Sequence, residues 1–108
     1  MRKGNDLKIY ISGPITGTED FLDRFDKAER FLRSKGYIPY NPAKANLMLP
    51  KEAEYEEYMI ISIDMLDMCD SVYMLNNWEN SKGANREYGY ALGKGKEILY
   101  EQMETIQP

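Results

Sequence analysis

Glu87 is the residue of this chain whose setting most suggests chemistry. It lies in the segment Ser81-Lys82-Gly83-Ala84-Asn85-Arg86-Glu87-Tyr88-Gly89-Tyr90-Ala91-Leu92-Gly93. On a helix it shares a face with Gly83, Ala84 and Ala91. That small-residue face suits close packing on a sheet, and a carboxylate buried there is costly unless paired or hydrogen-bonded. Spacing leaves two readings: a functional carboxylate held against the sheet, or a surface glutamate paired with Arg86 or Lys94. Ser81 and Gly83 open the same helix, whose free N–H groups and partial positive charge suit a phosphate; the plainer reading is an N-cap serine and a turn glycine. Gly13-Pro14-Ile15-Thr16-Gly17 lets backbone approach a ligand closely, yet it is neither a GxGxxG fingerprint nor a P-loop and reads equally as a turn. Asp64 and Asp67 fall on the polar side of their helix and read as solvated. Trp78 lies in a loop, where an indole either stacks on a base or seals a subunit contact.

Composition narrows the chemistry further. The chain has no histidine and one cysteine, Cys69, so the usual zinc sets cannot be built and no metal or other cofactor is expected. Acid–base or nucleophilic work falls to carboxylates, hydroxyls, lysine or tyrosine. A net charge of −4, with Lys and Arg scattered, offers no basic stripe for a phosphate backbone, so a nucleic-acid polymer is not an expected partner. No apolar run approaches ~18 residues, which argues against a membrane partner. The N-terminal apolar stretch is only a strand's length and has no cleavage pattern, so no signal peptide is read. A lone thiol fits a reducing compartment, and a cytoplasmic location is expected.

The elements that would position these residues follow from periodicity. Leu7–Ser12 is a short apolar strand ended by Gly13-Pro14. Thr18–Lys35 is a helix with Phe21, Phe25, Ala28 and Leu32 on one face, Thr18 as N-cap and Gly36 at C′. Tyr37–Tyr40 is a second strand that Pro39 pushes to a sheet edge. Lys44–Pro50 reads as a loop. Glu52–Cys69 is a long helix with Tyr55, Tyr58, Met59, Ser62, Leu66 and Cys69 sharing a face. Ser71–Leu75 is an apolar central strand, Asn76–Asn80 a loop, Lys82–Gly93 a helix and Glu97–Tyr100 a fourth strand, with a frayed tail beyond it. The 108 residues suit a single domain spanning 1–108. The alternation βαβαβαβ predicts a three-layer α/β/α, flavodoxin-like or Rossmann-like fold whose four-stranded parallel sheet has the order 2-1-3-4. Ligands of such sheets bind at the carboxyl ends of the strands where the chain reverses direction, here between Gly13–Gly17 and Asn76–Ser81.

Several segments resemble a known family. Tyr10-Ile11-Ser12-Gly13-Pro14-Ile15-Thr16-Gly17, Asn41-Pro42-Ala43, Cys69-Asp70-Ser71-Val72-Tyr73-Met74-Leu75 and Trp78-Glu79-Asn80-Ser81-Lys82-Gly83-Ala84 are similar to a branch of small bacterial and phage proteins. That branch is related to nucleoside 2-deoxyribosyltransferases and 2′-deoxynucleoside 5′-phosphate N-hydrolases. The sharpest part is Ser81–Gly93 followed by Lys94-Gly95-Lys96, which looks like the nucleophile helix of those enzymes. The resemblance implies that Glu87 attacks the anomeric carbon of a deoxyribose, expels the base and forms a covalent glycosyl-enzyme that passes to water or another base. It places Ser81 where the nucleotide hydrolases have a serine near the 5′-phosphate and the transferases an aspartate facing the base.

Two positions depart from that pattern. The relatives carry an aspartate eight residues before the one that opens strand three, and this chain has Ser62 there. Thr16 stands where the hydrolases place an arginine. The resemblance thus implies an N-glycosidase or deoxyribosyltransferase acting on a nucleoside or nucleotide, with Glu87 as nucleophile and Ser62 orienting it or the base. Ser81 and Gly83 would hold phosphate, and Tyr10, Gly13 and Ile15 would border the sugar and base. Related enzymes build their sites at subunit contacts, so a homo-oligomer is expected. The competing readings are a nucleotide-binding protein with little or no turnover, favoured by Ser62, and a protein that keeps only the scaffold.

Overall fold

The computed structural model describes residues 6–15 and 19–101. They run β1 (Lys8–Ser12), α1 (Phe21–Ser34), β2 (Ile38–Tyr40), α2 (Pro42–Asn46), α3 (Tyr55–Asp67), β3 (Ser71–Met74), α4 (Lys82–Gly93) and β4 (Glu97–Tyr100), with a 3-10 turn at Trp78–Asn80. The strands form a parallel sheet in the expected order, β2-β1-β3-β4. β2 lies at an edge, with Pro39 opposite Ile9, because proline has no N–H to give a second neighbour.

Strand alternation divides the core in two. Ile9, Ile11, Tyr73 and Leu75 face Phe25, Ala28 and Leu32 of α1. Tyr10, Val72 and Met74 face Leu66 of α3 and Ala84 and Ala91 of α4. Both faces are therefore covered, which gives three layers, and each strand of the central pair is buried on both sides.

Local chemistry sets the helix ends, and it moves some of them from their expected places. α1 begins at Phe21 with Asp20 in the cap position; Thr18, expected to cap it, lies outside the described residues, as do Thr16, Gly17, the first five residues and the tail after Glu101. Gly36 ends α1 at φ +89°, the left-handed conformation that glycine takes without strain. α3 starts at Tyr55 and not Glu52, because the Glu57 side chain accepts the Glu54 N–H at 2.8 Å, the return half of a capping box. The expected loop over Lys44–Pro50 is corrected in its first half. Asn41 accepts the Ala43 N–H at 3.0 Å and Pro42 sits in the first turn, so a short helix forms there.

The two loops that frame the switch point are pinned tightly. Leu75 N–H donates to the Ser12 carbonyl at 2.8 Å. A Cβ added at Gly13 would lie 2.9 Å from the Leu75 Cβ, so only glycine lets β1 exit this close to β3. Gly13→Ala is expected to cost about 1–3 kcal/mol through overpacking, read as a lower midpoint in urea with an unchanged m-value. Arg24 donates to the Asn76 carbonyl at 2.7 Å, and Asn76 N–H donates to Glu101 at 2.8 Å. α1 and the end of β4 therefore hold the loop after β3.

Candidate active site

The carboxyl end of β1 and the loop after it, α1, α2, α3 and the start of α4 enclose a cleft of about 470 Å³, within the range of small-ligand sites. β1 and the loop after it supply Ile11, Gly13 and Ile15; α1 supplies Phe21 and Phe25; α3 supplies Tyr55, Tyr58, Met59 and Ser62; α4 and its cap supply Ser81, Gly83, Ala84 and Glu87. Phe21, Phe25 and Met59 make the lining largely apolar, and its polar groups are Ser81 and Glu87 from α4 and its cap, with Asn46, Tyr55, Tyr58 and Ser62 from the other walls.

Glu87 lies at the base of this cleft. It is 6% exposed, on the face shared with buried Ala84 and Ala91. The surface-pair reading is excluded by the neighbours: Arg86 pairs with Glu56 at 3.0 Å, and Lys94 lies 3.9 Å from Asp67. Both Glu87 oxygens are held instead by β1. The Tyr10 hydroxyl donates to Oε2 at 2.8 Å and the Ser12 hydroxyl to Oε1 at 2.5 Å. Burial pushes the carboxyl up from 4.5 to about 7, while the Ser12 and Tyr10 hydrogen bonds and the charge of Arg86 pull it down. The Tyr10 phenol is pushed well above 10, chiefly by burial and then by the charge of Glu87, so it stays a donor.

Ser62 is 4% exposed, and its hydroxyl acts on the Tyr10 phenol against the effect of burial. Ser62 cannot act as an acid near neutral pH. Asp64 is exposed and absent from the cleft wall, as its position on the polar side of α3 requires. Asp67 accepts from Tyr90 at 2.8 Å, which is a surface role.

At the cleft's other polar end, the Ser81 side chain accepts the Ala84 N–H at 3.1 Å and so keeps its own proton for another acceptor. The N–H groups of Lys82 and Gly83 belong to the first turn of α4, where no intrahelical acceptor exists. Asn85 stabilises the approach to this turn by donating to the carbonyls of Glu79 and Ser81 at 3.0 and 2.8 Å. Trp78 does not line the cleft: it stacks on Tyr88 with ring centroids 4.5 Å apart and packs on the second core cluster. Burial pushes the Cys69 thiol up to about 12, which leaves it unreactive. Among the described residues no group of three or more His, Cys, Asp or Glu side chains is arranged to hold a metal ion, and no helix is long and apolar enough to cross a membrane.

All seven expected site residues border this cleft or bond to a residue that does. Three further groups were missed. Ser12 lies two residues after Tyr10 and so on the same strand face, a signal that alternation carries once Tyr10 is placed. Asn46 and Tyr55 have an amide oxygen and a hydroxyl that are buried without a hydrogen-bond partner among the described residues, and both line the cleft. Asn46 reaches it only through the unexpected helix α2, for which periodicity gives no sign.

The four-stranded parallel sheet in the order 2-1-3-4, covered by helices on both faces, is a fold this chain shares with 2-deoxyribosyltransferases. The chain belongs to the family described as "Domain of unknown function (DUF4406)", whose model matches residues 7–100. Its fold is similar to that of a 2-deoxyribosyltransferase from Bacillus psychrosaccharolyticus, with a TM-score of 0.69 at 21% identity over 90% of this chain and 77% of that one. It is also similar to a 2-desoxiribosyltransferase from Leishmania mexicana, with a TM-score of 0.64 at 24% identity over 87% of this chain and 63% of that one. No curated protein matches the sequence.

Proposed function

We propose that this protein cleaves the base–sugar bond of a deoxynucleoside or nucleoside 5′-monophosphate through a glycosyl ester on Glu87. The observation that carries this reading is a buried carboxylate facing a nucleoside-sized cleft, with both its oxygens held by hydroxyls of β1. The fold it shares with deoxyribosyltransferases supports the reading.

A Glu87 oxygen attacks the anomeric carbon as the bond to the base breaks, and the electron pair leaves with the base. The resulting ester then yields to water or to another base, which is retaining glycosyl chemistry. Tyr10 and Ser12 keep the carboxylate aimed in both steps. Ser81 and the first N–H groups of α4 are suited to a 5′-phosphate, where the helix dipole favours negative charge. Gly13 and Ile15 border the sugar and base, and the aromatic wall formed by Phe21, Tyr55 and Tyr58 suits a planar base. No cofactor takes part in this scheme. Its direct test is incubation with a nucleotide pool, followed by mass spectrometry of the peptide bearing Glu87. A pentosyl-phosphate adduct on that residue is the expected result, and its absence under acid quench, together with absence of free base, counts against the scheme.

A second reading is favoured by Ser62. With no acid at that position, the leaving base lacks a positioned proton donor, worth ~10²–10⁴-fold. A nucleotide-binding protein with little turnover is then the alternative. It predicts that nucleotide raises the melting temperature while no base is released.

The reading includes a homo-oligomer. Leu47, which lines the cleft, and its neighbour Met48 are 62% and 84% exposed, and a second copy covering them would close the site. Sedimentation at micromolar concentration is expected to give a dimer or larger; a monomer would remove the shared-site part of the proposal.

A further inference from the structure

In the glycosidase scheme something must fix the rotation of the Glu87 carboxyl. A glutamate has a loose terminal torsion, and a single hydrogen bond leaves the group free to turn. We propose that Ser12 is the positioning residue for Glu87, completing with Tyr10 a two-point clamp that fixes the carboxylate plane. This rests on the proposed role of Glu87 in the reaction.

The geometry supports the assignment on three counts. First, Ser12 and Tyr10 sit at alternate positions of one strand, so their hydroxyls reach the two oxygens of one carboxylate from a shared rigid base. That base is fixed on both sides: β1 pairs with β2 and β3, and Ser12 itself lies opposite Met74 while its carbonyl accepts from Leu75. Second, Ser12 is fully buried. Its hydroxyl proton goes to Oε1, and a hydrogen bond to a charged oxygen is about twice as strong as a neutral one. Third, the two donors differ in reach: the Ser12 oxygen is bonded to Cβ, directly beside the fixed strand, whereas the Tyr10 oxygen stands at the far end of its ring.

The remaining titratable and charged groups around Glu87 are few. Tyr10 faces it from β1, and Arg86 acts on it from its own helix. α3 presents Tyr55 and Tyr58 to the same cleft, and Cys69, just beyond α3, acts on Tyr10. A change at Ser12 alters none of these, so its effect on Glu87 can be read cleanly.

The test is a carbon-13 titration of the Glu87 carboxyl in glutamate-labelled full-length protein, with Glu87→Gln used to assign the signal. It is run on the wild type, Ser12→Ala and Ser12→Cys. Loss of the hydroxyl donor is expected to raise the Glu87 midpoint by about one pH unit in Ser12→Ala. The thiol of Ser12→Cys is a weaker donor of similar shape, so its midpoint is expected between the two. If wild type releases base, Ser12→Ala should lower kcat by roughly tenfold or more at pH 7 with KM little changed, and the acid limb of its pH profile should move up with the carbon-13 midpoint. A Glu87 midpoint identical in all three proteins overturns the assignment. Should Ser12→Ala fail to fold, the cysteine variant alone decides, since an unshifted midpoint there also overturns it. If no base is released and no adduct forms in wild type, the glycosidase reading fails, while the carbon-13 shift still decides whether Ser12 holds the carboxylate.

Discussion

Glu87→Gln is expected to abolish base release from deoxynucleoside 5′-monophosphates, by about 10³-fold or more, while leaving nucleotide binding largely intact. The amide keeps the shape of the side chain. Its oxygen can still accept from one β1 hydroxyl, and its NH₂ can donate to the other. What it loses is the negative charge that forms the bond to the anomeric carbon, and removing a nucleophile costs far more than weakening a binding contact. No other group can replace it: Asp64 faces solvent, Tyr10 is held neutral chiefly by burial, and the remaining wall is apolar, hydroxylic or, at Asn46, an amide. The wild-type rate is expected to rise with pH through about 7, where the Glu87 carboxyl becomes charged. Base release and nucleotide-induced thermal shift, measured together on both proteins, separate the readings. Release lost with the shift retained supports the enzyme. A shift in both proteins without release in either supports the binding protein. Equal release from both proteins would remove Glu87 from the mechanism.

The same substitution is expected to stabilise the fold, and to do so increasingly as pH rises from about 4.5 to about 7. The Glu87 carboxyl titrates near 4.5 in an exposed chain and at about 7 in the folded protein, with burial the largest cause. Below about pH 4.5 the group is neutral in both states and its contribution to stability is fully present. Between these values the unfolded chain releases the proton that the folded chain keeps, so stability falls as pH rises. The loss is complete once pH has passed through the folded value near 7, and amounts to about 3 kcal/mol. Glutamine carries no charge at any of these pH values. At pH 8 Glu87→Gln is therefore expected to melt roughly 10–20 °C above wild type, with the difference shrinking toward zero near pH 4.5. A difference that does not vary with pH would place its origin in packing and not in the buried charge. Stability given up at a reacting group is a common trade in enzymes.

The sequence by itself determined the frame. Apolar strand runs alternating with helical periodicity dictate parallel pairing through helical crossovers, and Pro39 marks the strand that has to lie at an edge. From those two facts the order β2-β1-β3-β4 and the switch point follow. The small-residue face Gly83, Ala84, Ala91 puts an inward Glu87 among the two readings that helical spacing leaves open, and the structure decides for it, since Glu87 is buried while Arg86 and Lys94 pair elsewhere. Helix limits were less legible. The Glu54–Glu57 capping contact and the Asn41–Pro42 start of α2 are each local, but they compete with periodicity that reads on past one and stops short of the other. What only the tertiary structure decided is the state of the carboxylate. Its partners Tyr10 and Ser12 stand 77 and 75 residues away in sequence, and its raised affinity for a proton comes from burial, which the sheet, α3 and α4 create together. Spacing along a chain shows which way a side chain points; its charge depends on which dipoles and how little water meet it there, and those are set by elements distant in sequence.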